Sequence, residues 1–414
     1  MYSTKERLKL TGIDSEGIKE SILVPDLEES MRTNLLISVC LLTLFMRSFS
    51  AEPGLLWNSG FSSAGESVVW DSIILPSGAC VAVGDVAFGQ SENRRINICE
   101  LNKDGLVLWE QTALSLGNAS GYSILSIPEG YAVCGDRVDS SGTSGLILKT
   151  DLNGNTVWSR VISYEGDDSL QDMCLTPDGN IIAVGYSLNS ETSDNDVLAV
   201  CFSDSGSVLW QKRYVSPDYQ AAYSIVQSTD SPGSYVVTGS DGGDVFLMKV
   251  NGLGDWQWKT RHFIEGIQMG RSVSGLSDGG YVVAGSTRGE WGFSDAILVF
   301  FDSDGTVTND LVWGGDGPDN AYSVSEVQPA GYVVLVNSNS GRGEGYRPFL
   351  VRFDPWLSTI WSVQLTELNA LCYSMFINDD EGFTVTGKTS TPEDNTHFSA
   401  FLIRLSSEDL LNWN

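Results

Sequence analysis

One string recurs along the chain. It reads "PSGACVAVGD" (76–85), "PEGYAVCGD" (128–136), "PDGNIIAVGYS" (177–187), "SPGSYVVTGS" (231–240), "SDGGYVVAGS" (277–286), "PAGYVVLVN" (329–337) and "DEGFTVTGK" (380–388). Its last glycine falls at Gly84, Gly135, Gly185, Gly239, Gly285 and Gly387, with Val336 in the remaining slot. A phosphate-binding glycine loop is needed once. A string repeated seven times at steps near 50 residues is architecture.

Tryptophan marks the same period. Trp57, Trp109, Trp158, Trp210, Trp258, Trp313, Trp361 and Trp413 lie 48 to 55 residues apart. Within each unit a first strand such as "AYSIVQST" (222–229) begins near an aromatic: Trp70, Tyr122, Tyr223, Tyr322 or Tyr373, with Arg271 and Asp172 breaking the series. A Gly-bearing turn leads to a second strand, and a variable polar loop to a third. A tight hairpin then joins the third to the Trp strand. In five hairpins, from Asn102…Gly105 to Asp302…Gly305, a side-chain acceptor stands three residues before a glycine, the chemistry of a type I turn. Leu357 and Asp409 replace that glycine in the last two units, so looser turns are expected there.

Four short antiparallel strands repeated seven times predict an all-β, seven-bladed β-propeller, over residues 52–414 as one domain. The chain runs only one residue past Trp413, whereas "LLWNSGF" (55–61) is free to supply an outer strand. An N-terminal strand is therefore expected to help close the last blade and remove two open edges.

The unit W…D-G-G-Y-x-V-x-G…D-x-x-G…W resembles the tandem propeller repeats of about 50 residues common in secreted bacterial and archaeal proteins. It is more distantly similar to kelch-type and quinoprotein-type repeats. The resemblance covers residues 55–414 and implies a binding or scaffold role more often than an enzymatic one. It transfers no catalytic motif to any position of this chain.

Residues 31–51, "MRTNLLISVCLLTLFMRSFSA", have the form of a signal peptide: Arg32, then twelve apolar residues at 35–46, then small residues. Residues 1–30 are then an upstream over-extension or tail. The expected localisation is secreted, periplasmic or cell-surface, with no transmembrane segment in the mature chain. The 24 basic and 53 acidic residues give a net charge of −29, which disfavours nucleic acid. Six cysteines follow the signal without C-x-x-C spacing or repeated register, and free thiols are expected.

Only His262 and His397 are present, which argues against a Ser-His-Asp triad or a His-rich metal site. No cofactor is expected. Asp302, Asp304 and Gly305 resemble half a calcium loop but lack the later acidic ligand. Asp167, Asp168, Asp316 and Asp319 populate inter-blade loops and are candidates for ligand contact or for glycosidic acid-base chemistry. Trp291 stands in a variable loop beside Arg288, Glu290 and Phe293, and Arg342, Tyr346 and Arg347 form a comparable group. Rings beside Arg and carboxylates suit sugar or protein recognition. A monomeric binding propeller for a protein or carbohydrate partner is the expected function. The alternatives are a secreted glycoside hydrolase or lyase using loop carboxylates, and a structural envelope protein.

Overall fold

The computed structural model describes residues 55–60, 66–87, 93–164, 166–264, 266–288, 293–328, 330–340, 345–378, 382–391 and 394–406. The segment 1–54, with the signal-like stretch, lies outside them, as do Glu290, Trp291, Arg342, Asp409 and Trp413.

The described residues form seven four-stranded antiparallel sheets. Blade one runs outward from the inner strand Ser67–Ile74 through Cys80–Ala87 and Arg94–Leu101 to the outer strand Val107–Thr112. The inner strands of blades two to seven are Asn118–Ile127, Asp168–Leu175, Gln220–Gln227, Ile267–Gly275, Asp319–Glu326 and Ala370–Ile377. Blade seven continues through Phe383–Thr391 to Asp394–Leu405, and Leu55–Gly60 lies antiparallel on the outside of that strand. The one helical element among the described residues is a 3-10 turn at Leu114–Leu116.

Near-continuous apolar runs explain why the sheets stack. The second and third strands are apolar on both faces, as in Ile181–Asn189 and Asp194–Phe202, so each blade presents a dry surface to both neighbours. Seven apolar clusters result, one per inter-blade seam. Tyr131, Val133 and Ile98 fill the seam between blades one and two, and Val69, Ala82, Ala400 and Leu402 fill that between seven and one. Fully burying one such Leu or Phe is worth roughly 1.5–3 kcal/mol. Blade seven also hydrogen-bonds to blade one: Ala400 N–H donates to Ser67 Oγ at 2.9 Å, and Arg404 to the Gly78 carbonyl at 2.9 Å. The array is a closed ring and not a linear solenoid. Cys80, Cys99, Cys134, Cys174, Cys201 and Cys372 are all unbridged.

The Trp marker has a structural meaning, with one correction. Trp109, Trp158, Trp210, Trp258 and Trp361 share one register, each opposite the penultimate paired residue of the neighbouring strand and just past a bulge. The backbone of Trp57 occupies the same register opposite Arg404. Trp313 does not. In blade five that position belongs to Asn309, opposite Phe300, and Trp313 lies four residues further along, opposite Ala296. The Trp spacing concealed the difference because its steps of 55 and 48 residues average to the period.

The turn in blade six is also tighter than the missing glycine suggested. Leu357 adopts φ 66° and keeps the repeat's hydrogen bonds: its N–H donates to the Asp354 carbonyl at 3.0 Å. Asp354 Oδ1 accepts the Trp356 and Ser358 amides. The Asp side chain holds the turn whether or not glycine follows.

Candidate functional site at the channel mouth

The recurring glycine faces an irregularity in the inner strand. In blade one Val69 pairs with Gly84 and Asp71 with Val83, leaving Trp70 unpaired. A Cβ built on Gly84 would fall 1.8 Å from the Val68 carbonyl oxygen, and the same contact is 1.9 Å at Gly135, Gly185, Gly239 and Gly285. In these blades a residue without a side chain lets the two backbones close in this way, whereas in blade six Val336 faces the bulge. A β-bulge inserts one residue and re-aims its side chain. Here all seven inner strands carry it, at Trp70, Tyr122, Gln171, Tyr223, Arg271, Tyr322 and Tyr373.

These seven residues ring the central channel, and each is partly exposed. The Trp70 ring meets Tyr373 at 4.3 Å and Tyr122 edge-on at 5.5 Å. Tyr322 meets Tyr373 at 5.5 Å, and the Arg271 guanidinium lies 4.5 Å over the Tyr322 ring. In blade three the inserted residue is Gln171 rather than Asp172, which is the next residue and serves a different ring.

The ring lies in the half of the channel nearest the inter-blade and second-to-third-strand loops, because the bulge falls early in each inner strand. Residues just after the repeat glycine form its outer collar. Trp70 Nε1–H donates to Asp85 at 2.8 Å, and the Tyr122 hydroxyl to Asp136 at 2.9 Å. Arg94 pairs with the buried Asp85 and reaches Glu66 at 3.6 Å. Burial pushes the Asp136 carboxyl up, and the Tyr122 phenol is driven up by burial and by Asp136 beside it. In blade seven the equivalent position is Lys388, its ammonium 4.9 Å over the Phe398 ring and held below the usual lysine range by burial and by Arg94. Tyr186 holds that position in blade three.

A second ring sits one residue deeper: Asp71, Ser123, Asp172, Ser224, Ser272, Ser323 and Ser374. Asp71 and Asp172 use both carboxylate oxygens to tie neighbouring blades. Burial, with Asp71 nearby, raises the Asp172 carboxyl to about 6. Burial raises Asp71 too, against four hydrogen bonds that lower it.

The loop residues singled out in the sequence divide. Asp168 and Asp319 are wholly buried and organise their own loops: Asp168 accepts the Tyr164 amide at 2.6 Å, and Asp319 accepts the Gly315 amide and the Ser340 hydroxyl, both at 2.8 Å. Asp167 is exposed but accepts the Thr143 amide at 2.7 Å. Asp316 is exposed. Asp167 and Asp168 belong to blade three and Asp316 and Asp319 to blade six, so the four do not form one cluster. Arg288 and Phe293 are exposed at the rim of blade five. Tyr346 is half-buried, and its phenol is raised by burial and by Tyr322 and Asp319. Arg347 donates to the Tyr346 carbonyl at 3.1 Å. His262 faces Asp310 of the next blade at 3.8 Å, and the His397 side chain lies outside the described residues. Among the described residues no group of three or more His, Cys, Asp or Glu is placed to hold a metal ion.

No family model matches the chain, and no curated protein matches it in sequence. Among solved structures it is similar to Sqt1 from Chaetomium thermophilum, at 10% identity and TM-score 0.51 over 86% of this chain and 99% of that one. It is similar also to BBS1N in complex with ARL6DN, at 13% identity and TM-score 0.50 over 84% and 95%. A third is the polysaccharide lyase Uly1, at 8% identity and TM-score 0.51 over 85% and 99%. Likeness at such identities establishes the seven-bladed propeller fold and nothing about ligand or reaction.

Proposed function

We propose that this protein is a recognition propeller without catalysis, which receives a carbohydrate chain at the channel mouth on the variable-loop face. The observation that carries the reading is the bulge-borne ring. Five aromatic side chains, one Arg and one Gln converge there, partly exposed, with acidic and basic partners behind them. Flat rings offer apolar area at low entropy cost, and the amide, guanidinium and carboxylates around them suit hydroxyl groups. The loop carboxylates first considered for hydrolysis do not favour an enzyme, since Asp168 and Asp319 are turned into their own loops.

A protein partner is the second reading. It is favoured by the net charge of −29 and by the exposed acidic loops at Asp167 and Asp316, which would attract a basic surface. BBS1N, a structural neighbour, is itself seen in complex with a protein.

A panel of soluble oligosaccharides and basic peptides, titrated calorimetrically against the wild type and against Trp70→Ala with Tyr373→Ala, tests both readings. Saturable oligosaccharide binding, weakened at least tenfold in the double variant while the fold persists, is the expected result. Binding to peptides alone would favour the second reading. Oligosaccharide binding untouched by the double variant would remove the ring from the site.

A further inference from the structure

On the face opposite the variable loops, four successive seams, from blades one and two to blades four and five, share one contact. The outer-strand Trp of a blade lies on the turn glycine of the next. A Cβ on Gly154 would meet Trp109 at 2.5 Å, one on Gly206 would meet Trp158 at 2.8 Å, one on Gly254 would meet Trp210 at 2.8 Å, and one on Gly305 would meet Trp258 at 2.5 Å. The indole also donates across the seam, from Trp158 to the Asp204 carbonyl at 3.1 Å and from Trp210 to the Gly252 carbonyl at 3.0 Å. An indole thus fills each of these clefts.

Between blades five and six both halves of the contact differ. Asn309 stands at the Trp register, and Leu357 stands where the glycine would be. Asparagine is too short to reach across, and Leu357 supplies only part of the missing volume. A cleft of about 350 Å³ opens there, walled by Phe300, Tyr332 and Leu357 and rimmed by Asn309, Asp278 and Asp302. Phe300 and Tyr332 meet edge-on at 4.9 Å, giving the cleft an aromatic wall. Asp278 gives one carboxylate oxygen to the Gly280 amide, and Asp302 gives one to the amides of Asp304 and Thr306, so both carboxylates are held in place at the rim.

We infer that this cleft is a second binding site, for an indole-sized planar ring that carries a cation. The ring takes the space that the repeat elsewhere fills with its own tryptophan, and the cation meets Asp278 and Asp302. Its volume falls within the roughly 300–1,000 Å³ of small-ligand sites, and its lining is more polar than apolar, which suits a ring that carries a charge. The chemistry is that of a free arylalkylamine or of an aromatic side chain beside a basic residue on a partner.

The test titrates the full chain with tryptamine, indole and indole-3-acetate, followed by NMR or thermal shift, and repeats the series on Asn309→Trp with Leu357→Gly, which rebuilds the contact of the other blades. Saturable tryptamine binding, tighter than indole and at least tenfold tighter than indole-3-acetate, is expected, with loss of binding in the rebuilt variant. Absence of saturable tryptamine binding, or equal binding by the rebuilt variant, would overturn the inference. Asp278→Asn guards against a misfolded double variant: it should bring tryptamine towards the affinity of indole, and an unchanged preference would remove the cation from the proposal. A short peptide containing adjacent Lys and Trp, if bound more tightly than tryptamine, assigns the site to a partner's side chain; weaker binding assigns it to the free amine.

Discussion

The Ser374 hydroxyl donates to Asp71 Oδ1 at 2.8 Å, joining residues 303 positions apart in the chain. The other oxygen of Asp71 accepts the Ile124 amide at 3.1 Å, so one carboxylate spans blades seven, one and two. Asp172 does the same for blades two, three and four, through Ser123 at 3.0 Å and Ile225 N at 2.9 Å. Replacing Asp172 by Ala strands a backbone donor and a hydroxyl at two seams. A loss of about 2–3 kcal/mol is expected, measured as a lower midpoint in urea unfolding.

The same carboxylate predicts a pH dependence of unusual sign. With its native value near 6 against an ordinary 3.8, Asp172 binds its proton more tightly folded than unfolded. Its contribution therefore falls as pH rises from about 4 to about 6, and remains at the lower level above that. Asp71 acts in the same direction. Asp230 opposes them. Burial would raise its carboxyl, but Lys249, Ser228 and Tyr281 together hold it at about 2. The stability it gives is present above the unfolded value and is lost as pH falls towards 2. Denaturant midpoints between pH 3 and 8 should show the fall from 4 to 6, and Asp172→Asn should flatten it.

Two glycines separate close approach from backbone conformation. Gly185 sits opposite the bulge, where a Cβ would lie 1.9 Å from the Ser169 carbonyl oxygen. Gly185→Ala must push the inner strand away and is expected to cost more than about 3 kcal/mol. Gly179 has φ +81° and no atom within 4 Å of a built Cβ, so Gly179→Ala should cost only about 1 kcal/mol. Thermal unfolding of the two variants side by side checks the order.

The Leu55–Gly60 strand covers the outer side of Asp394–Leu405, and we propose that it holds the seam of the ring shut. Deleting residues 55–60 would leave the last blade with three strands and an uncovered edge. Self-association in size-exclusion chromatography and a lower unfolding midpoint are the expected results. An unchanged elution volume and unfolding midpoint would show that blade seven stands without it.

The architecture was legible because the period survives in two independent markers, a glycine and a tryptophan. The reason for the glycine was not. Sequence shows that a small residue recurs, but only the paired strands show that it makes room for a bulge on its neighbour. The aromatics from Trp70 to Tyr373 stood out in the sequence only as a recurring start to the first strand of five units. In the structure they turn into the channel, because the inserted residue leaves the two-residue alternation that decides which way a strand side chain points. Gln171 escaped notice for the same reason, since nothing in its type marks it as equivalent to a tyrosine. Asp85 and Asp136 were hidden inside the repeat string, where they looked like ordinary residues after a glycine. The missing Trp of blade five was masked by Trp313 nearby, and became evident only from which residue faces Phe300.

The bulge has a wider consequence for how such a chain can change. In six of the seven blades the channel-facing side chain is aimed by a glycine and a carbonyl on the backbone, and in blade six Val336 faces the bulge instead, so the backbone rather than the side chain's own identity sets its direction. Trp, Tyr, Gln and Arg all occupy the position in this one molecule. The direction of these seven side chains is thus set by the backbone, and a new ligand preference needs only a change of letters at positions whose aim the fold already fixes.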